Sequence, residues 1–194
     1  MKGNEIMDVP NFKYFKDFLK NATFTDIKCD LCSATDYCLE GEYFDNDEMY
    51  QSVCIKCLLE GKAIVKIPGY IIKNLEISIK SNNNNLSDVE IKKNVENKIY
   101  ELSKTPPVAW IQFNNWPVLN GDFARFIGEW GKDEIINNTI GNDPKEYLKS
   151  ILDELSLKGI DNFDIFWDDI GDNTAVYVFE SIDSLKLIAV SQNY

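Results

Sequence analysis

CDLC at residues 29–32 and CIKC at residues 54–57 decide the fold of the first half of this chain. Each stretch holds two cysteines three positions apart, so one tight turn can direct both sulfurs at the same ion. Two such turns, separated by 21 residues, complete the tetrahedral set of thiolates that Zn²⁺ favours. The sequence therefore predicts one zinc ion in a closed structural site, with the ligands Cys29, Cys32, Cys54 and Cys57.

Redox chemistry is the main alternative for a C-x-x-C pair. Redox motifs usually occur singly, before a helix in a thioredoxin-like βαβ unit. Two pairs in succession without that context are typical of a structural metal site. A closed zinc site offers no open position to a substrate, so the function must be sought in other residues.

The composition limits the classes of function. The 194 residues carry a net charge of −12 and no histidine. An acidic chain repels the phosphate backbone, so nucleic acid is not expected as a partner, whereas a basic protein is compatible with this charge. Without histidine there is no imidazole general base and no Ser-His or Cys-His nucleophile.

The apolar pattern indicates a protein without a membrane segment. Residues 1–15 contain no long apolar stretch of the kind found in signal peptides. No window reaches the roughly 18 apolar residues of a membrane span. With paired cysteines and no export signal, we expect a cytoplasmic location, and the oligomeric state stays open.

In the N-terminal half, local signals predict short elements around the cysteines. We expect one helical turn within residues 9–25, a hairpin from Tyr37 to Tyr43 that turns near Gly41, and a helix from Leu58 to Val65. Residues 69–79 are predicted to be partly extended. A knuckle, a hairpin and a second knuckle that opens a helix form a treble-clef-like module.

In the C-terminal half, helix and strand signals alternate. The capping box Ser87-x-x-Glu90 starts a helix, and Asp143 with Pro144 starts another that closes at Gly159. The remaining predictions are a strand over 108–119, a short helix over Asp122–Trp130, and a final β-hairpin of Ala175–Phe179 and Leu185–Val190. The apolar face of the first helix is predicted to consist of Val89, Val95, Ile99 and Leu102.

The predicted fold class is α+β. The treble-clef-like zinc module packs on a C-terminal mixed α/β part that ends in the hairpin. The Asn-rich stretch at 81–87 is read as a linker, because such polar runs cannot bury enough surface to offset their ordering entropy. The predicted division is therefore 1–80, with the zinc module, and 88–194.

Five segments of the chain are distinctive: PNFKY at 10–14, the first cysteine pair, residues 37–43, VCIKCLLEGKA at 53–63, and YELSKTPPVAWIQFNNWPVLNGDFARFIGEWGKDEI at 100–135. Together these segments resemble the CbrC family. The positions that match the family pattern in the last segment are Leu102, Thr105, Pro106, Trp110, Gln112, Trp116, Asp122, Phe126 and Gly128.

The chain departs from that family pattern at two places. The family has His-Cys where this chain has Asn120 and Gly121, and a C-x-x-C where this chain has Ser181 and Ser184. Because serine does not hold zinc, the resemblance implies that any second metal site has been lost here. It also places an aliphatic residue at the position of Cys38, which implies that this thiol is a small apolar filler.

The resemblance implies a bacterial protein linked to colicin tolerance, and hence a binding protein whose partner is a basic, toxin-like protein. An enzyme is the alternative, with Asp122 and Arg125 in a cleft lined by Trp110 and Trp116. The simpler interpretations are a helical i, i+3 ion pair and core packing of the two Trp. The simpler interpretation of the Asp-rich stretch 161–172 is a solvated loop.

Overall fold

The two cysteine pairs are joined by a small antiparallel sheet. The structure, a computed structural model, describes residues 10–44, 50–83 and 85–194. After a helical turn, α1 (Phe18–Asn21), strand β1 (Cys38–Glu40) pairs with β2 (Ser52–Cys54), with Cys38 opposite Cys54. The predicted treble-clef-like module is confirmed in its two knuckles, the second of which opens a helix, but not in its hairpin.

The predicted hairpin within Tyr37–Tyr43 is wrong, because β1 pairs with β2 and not with its own continuation. The chain after β1 forms a 3-10 turn, Gly41–Tyr43. Gly41 donates its N–H to the Gln51 carbonyl at 3.0 Å, and a Cβ at this position would clash with the Tyr50 carbonyl oxygen. Only glycine therefore allows the two strands to approach so closely.

The helix that leaves the second knuckle is shorter and earlier than Leu58–Val65, so its predicted bounds are wrong. Helix α2 (Ile55–Leu59) begins directly after Cys54. Gly61 follows it with a φ of 69°, a left-handed conformation that ends helices. Val65 lies beyond the helix and forms a β-bridge with Phe44.

Residues 69–79 are helical, so the prediction of an extended segment is wrong. Helix α3 (Gly69–Asn82) buries Ile71, Leu75 and Ile79, which follow one another at intervals of four residues. It also extends into the predicted linker 81–87. This helix packs against α4 (Asp88–Ser103) and against the short strands at 118–119 and 122–123.

Helix α4 begins at the predicted capping box. Glu90 accepts a hydrogen bond from the Ser87 N–H at 2.9 Å, and Ser87 Oγ accepts from the Glu90 N–H at 3.4 Å. The predicted apolar face is partly wrong, since Val89 is 78% exposed and Ile91 is buried in its place. The division of the chain at 81–87 stays a prediction; the larger buried cluster includes residues from both of its parts.

The segment from 108 to 130 differs from both predictions made for it, the strand over 108–119 and the helix over Asp122–Trp130. Residues 108–117 contain no regular strand, and three short strands follow: β3 (Val118–Leu119), β4 (Asp122–Phe123) and β5 (Arg125–Glu129). The predicted helix over Asp122–Trp130 is therefore wrong. Asn120 and Gly121 both have positive φ, 51° and 78°, which is the Asn-Gly turn that joins β3 to β4.

The final β-hairpin is confirmed, and its first strand is the central strand of the main sheet. Strands β6 (Thr174–Glu180) and β7 (Leu187–Asn193) are antiparallel, and β5 pairs with the other edge of β6, so the order is β5-β6-β7. All residues of β6 are buried. Tyr177 and Phe179 face the cluster of the cysteine module, whereas Val176 and Val178 face a second cluster.

Short helices cover the second face of this sheet. They are α5 (Lys132–Asn138), α6 (Pro144–Ile151), α7 (Glu154–Lys158) and α8 (Phe163–Asp169). Asp143 caps α6 as predicted, but the expected single helix to Gly159 is two helices, because Leu152 is extended and forms a bridge with Ala189. The prediction of a loop over 161–172 is wrong, since α8 lies within it. No described helix is long and apolar enough to cross a membrane.

Helix α3 provides a test of the fold with its own control. Leu75→Ala should lower the free energy of unfolding by roughly 2–5 kcal/mol, because the side chain is fully buried. Ile77→Ala, on the opposite face and 56% exposed, should change it by less than about 0.5 kcal/mol. Urea denaturation followed by circular dichroism measures both. Equal effects at the two positions would contradict the helical arrangement.

Candidate metal centre

Four thiols converge at one point of the N-terminal half. The Sγ atoms of Cys29, Cys32, Cys54 and Cys57 all lie within 4.8 Å of one another. The Cys29–Cys57 and Cys32–Cys54 Sγ distances are 3.8 and 3.4 Å. Four sulfurs bound at about 2.3 Å to one ion would stand about 3.8 Å apart. The four cysteines are therefore positioned to hold a metal ion.

Each pair of cysteines is fixed by its local backbone. In the first knuckle, Cys29 donates its N–H to Ala34 and its carbonyl accepts from Ser33, which has a positive φ of 59°. In the second knuckle, Cys54 ends β2 and occupies the N-cap of α2, so Cys57 lies in the first turn of that helix. Both turns hold their two side chains on one side.

Asp30, which the sequence reasoning missed, ties the two knuckles together. Its Oδ2 accepts hydrogen bonds from the backbone N–H groups of Gln51 at 2.7 Å and Ser52 at 3.3 Å, and its own N–H donates to the Ser52 carbonyl. The only sequence signal was its place directly after Cys29. The knuckles are thus held in register by protein contacts as well as by any ion.

The thiols differ in environment. Cys29, Cys54 and Cys57 are each 1% exposed, whereas Cys32 is exposed. A hydrogen bond from the Ala34 backbone lowers the pKa of Cys32 to about 7. Burial raises the pKa of Cys54 to about 11 and that of Cys57 above its usual value. Buried thiolates are costly alone, so a cation at their centre would offset that cost.

Cys38 is outside the cluster and is buried, as expected of a small filler. It is 1% exposed, and its Sγ donates to the Ala34 carbonyl at 3.3 Å. The same carbonyl accepts the Cys29 N–H. Cys38 therefore supports the first knuckle from behind.

Comparison with known proteins gives one match, which covers nearly the whole chain. The model of the uncharacterised protein family UPF0167 matches residues 9–191. The chain belongs to this family. No curated protein and no solved structure matches it. Within UPF0167 the matched range includes both the cysteine cluster and the sheet β5-β6-β7, whereas the CbrC name and the colicin link stay predictions.

Asp122 and Arg125 do not form the predicted helical ion pair, because they lie on strands and have different partners. The Asp122 carboxylate accepts from Lys13 and Tyr14 at 2.8 and 2.7 Å, and pairs with Lys98 at 2.8 Å. It therefore joins the N-terminal segment, α4 and β4 in this UPF0167 protein. Burial raises the pKa of Asp122, but Lys13, Lys98 and Tyr14 outweigh burial and the net pKa is below its usual value.

Arg125 is paired across the main sheet. Its Nε and Nη2 lie 2.7 and 2.6 Å from Oε1 of Glu180, which is 6% exposed. Lys16 approaches the same oxygen at 3.8 Å. The register of β5 and β6 places Arg125 opposite Glu180, so this ion pair connects neighbouring strands.

Trp110 and Trp116 pack near each other but not on a strand. Their ring centroids are 6.4 Å apart, Trp116 is buried, and Trp110 stacks on Phe179. They line a cavity of about 210 Å³, and neither Asp122 nor Arg125 is in its lining. The cleft and the charged pair of the enzymatic alternative are therefore not one site.

Gly121, Ser181 and Ser184 take part in turns. Gly121 donates its N–H to Ser78 Oγ at 2.9 Å. Ser181 is buried and its Oγ accepts the Ser184 N–H at 3.4 Å. Ile182, beside Ser181, packs against the larger buried cluster, whereas Leu185 is 60% exposed.

The Asp122 contacts can be tested by removing the charge. Asp122→Asn should cost roughly 1–3 kcal/mol of stability, because it leaves partly buried donors with a weaker acceptor. Since the folded-state pKa is lowered, this stabilisation is present above the unfolded pKa of about 4. It is lost as the pH falls through the folded value, so the difference between the two proteins should shrink in acid.

The control is Asp164→Asn. Asp164 pairs with Lys145 at 2.6 Å, but its side chain is 81% exposed, so the loss of this pair should leave the stability nearly unchanged. Urea denaturation at neutral and acid pH separates the two cases. A cost that is equal for both variants would show that the Asp122 contacts have no special weight.

Proposed function

We propose that this protein is a zinc-stabilised, cytoplasmic binding protein that recognises a basic protein partner through an acidic surface. Two features support the proposal, the thiol cluster for the metal and the distribution of charge for the partner. The cluster concerns the stability of the fold, and the charge concerns recognition. Each can be tested without the other.

Zinc is the metal that best fits the four thiols. Zn²⁺ binds thiolates tetrahedrally and has no redox chemistry of its own, so it would act as a cross-link between the knuckles. Because all four donors come from the protein, such a site is closed to substrates. The small strands and the short helix α2 would gain most of their mutual order from that cross-link.

Metal analysis of the purified protein should find one zinc per chain. The thiols of the cluster should resist alkylation until a strong chelator removes the ion, and the N-terminal module should then lose protection in hydrogen exchange. Elemental analysis and thiol titration measure this. A protein without metal and with freely reactive thiols would contradict the proposal. Iron in a one-to-one ratio with the chain would show that the metal is iron and not zinc.

Serine variants separate ligands from the filler thiol. Cys29→Ser should abolish stoichiometric zinc and destabilise the N-terminal module by several kcal/mol, on the order expected for losing a structural metal. Cys38→Ser should keep the zinc and cost about 1–3 kcal/mol, since it buries a hydroxyl. Loss of zinc in both variants, or in neither, would contradict this assignment.

The observation that carries the partner proposal is the group of carboxylates around α8. Asp161, Asp168 and Asp172 are exposed and form no salt bridge with any residue that the structure describes. Together with the net charge of −12, they favour encounter with a positively charged surface. The resemblance to CbrC adds the narrower expectation of a basic toxin and a role in bacterial toxin tolerance.

Reversal of these charges tests the partner proposal. Proteins recovered from bacterial cells on the immobilised wild type should be basic, should elute as salt rises, and should be depleted on the double variant Asp161→Lys, Asp168→Lys. The matched control is Glu76→Lys, Glu96→Lys, which reverses the same number of charges on α3 and α4 and should retain them. Quantitative mass spectrometry measures all three. Partners that are neutral, or equally lost on both variants, would contradict the proposal.

A further inference from the structure

Two adjoining cavities form one groove on the side of the protein that carries β7. The first, of about 400 Å³, lies between residues 112–115 and the helices α7 and α8, and its lining includes residues 191–193 of β7. The second, of about 460 Å³, lies beside α3. Asn115 and Leu155 line both cavities. We call this continuous surface the β7 groove.

The walls of the β7 groove are held in place by buried polar side chains of its floor. Gln192, only 3% exposed, accepts the Gln112 N–H at 3.0 Å and donates to the Phe113 carbonyl at 2.7 Å. On the other side, Ser156 Oγ accepts the Ser191 N–H at 2.9 Å. The groove is therefore preformed, and a ligand need not pay to order it.

The β7 groove presents large apolar side chains to solvent. Ile77, Phe113, Leu155 and Ile165 line it and are 56%, 52%, 67% and 61% exposed. Single exposed apolar residues are ordinary, but four around one concave surface are typical of an interaction site. Their exposure indicates an occupant with apolar side chains of its own.

The charge of the β7 groove has one sign. Asp153, Asp161 and Asp169 line it, and no Lys or Arg is among the described residues of its lining. Asp153 caps α7 and Asp169 accepts a long hydrogen bond from Asn173, while Asp161 has no ion pair or hydrogen-bond partner in the described chain. A cation beside an apolar group would therefore be complementary to this surface.

We propose that the β7 groove docks a short basic and amphipathic segment of a partner protein. An aliphatic or aromatic side chain of that segment contacts Phe113, Leu155 and Ile165, and a neighbouring Lys or Arg lies against Asp161. This inference rests on the proposed function and narrows it. The acidic surface speeds association with the partner, whereas the groove adds apolar contacts that slow dissociation.

The probe is a fluorescein-labelled peptide of alternating Lys and Leu, measured by anisotropy at about 0.15 M salt. Leu155→Ser with Ile165→Ser should weaken its binding about tenfold or more. The matched control, Val89→Ser with Ile140→Ser, removes two aliphatic side chains that are 78% and 85% exposed outside the groove, and should leave binding within about twofold. Phe113→Ser is an independent second variant, and circular dichroism confirms that each protein is folded.

Two further peptides separate the groove from the proposed function. If a peptide of alternating Lys and Ser binds as tightly as the Lys and Leu peptide, and the groove variants do not change the affinity, the docking proposal for the groove is overturned and the acidic binding surface stands. If alternating Glu and Leu binds as tightly as Lys and Leu, the groove stands and the basic partner is overturned. If the control variant weakens binding as much as the groove variant, the site lies elsewhere and this inference is wrong. No binding of the Lys and Leu peptide at millimolar concentration overturns both.

Discussion

The burial of β6 on both faces is the constraint on which the rest of the structure depends. All residues of Thr174–Glu180 are buried, so each face of the strand needs its own cover. Tyr177 and Phe179 contact the aromatic cluster that continues to the cysteine module. Val176 and Val178 contact the cluster beneath α5 to α8. The two halves of the core are thus opposite sides of one strand.

Because β6 is buried on both faces, ion pairs lie where the sheet meets the segments that pack on it. Glu180 is the last residue of β6, and it is nearly buried because Arg125 of β5 lies opposite. A buried carboxylate needs such a partner. On the face of the sheet that Tyr177 and Phe179 share, the Asp122 carboxylate also has partners. It contacts Tyr14 and Lys98 of α4. These charged groups specify how segments far apart in sequence meet, and the apolar clusters supply most of the stabilisation.

Sequence signals were informative where the physics is local. The spacing of the cysteines, the Ser87 capping box, the Asp143 cap and the final hairpin each depend on neighbouring residues, and each is found in the structure. The partners of Asp122 and Arg125 depend on strand register, which no local pattern contains. The sequence predicts a helix at 122–130 where the structure has two strands, because a short apolar run does not distinguish the two periods. The Asn120-Gly121 turn was the available signal and favoured strands.

In the segment 69–79, one apolar residue gives a helical sequence the alternating pattern of a strand. Leu75, Ile77 and Ile79 alternate with Glu76, Ser78 and Lys80, which is the period of a strand. In the structure the buried residues of this segment recur at intervals of four, as on one face of a helix: Ile71, Leu75 and Ile79 are buried together.

Ile77 is then left on the outer face of α3, where its side chain is more than half exposed. Side chains that conflict with local pattern are expected where a sequence is constrained by something other than its own fold. Ile77 lines the β7 groove beside Leu155, which is also exposed. The docking role proposed for the β7 groove would account for this apolar side chain on a helix face that the core does not use.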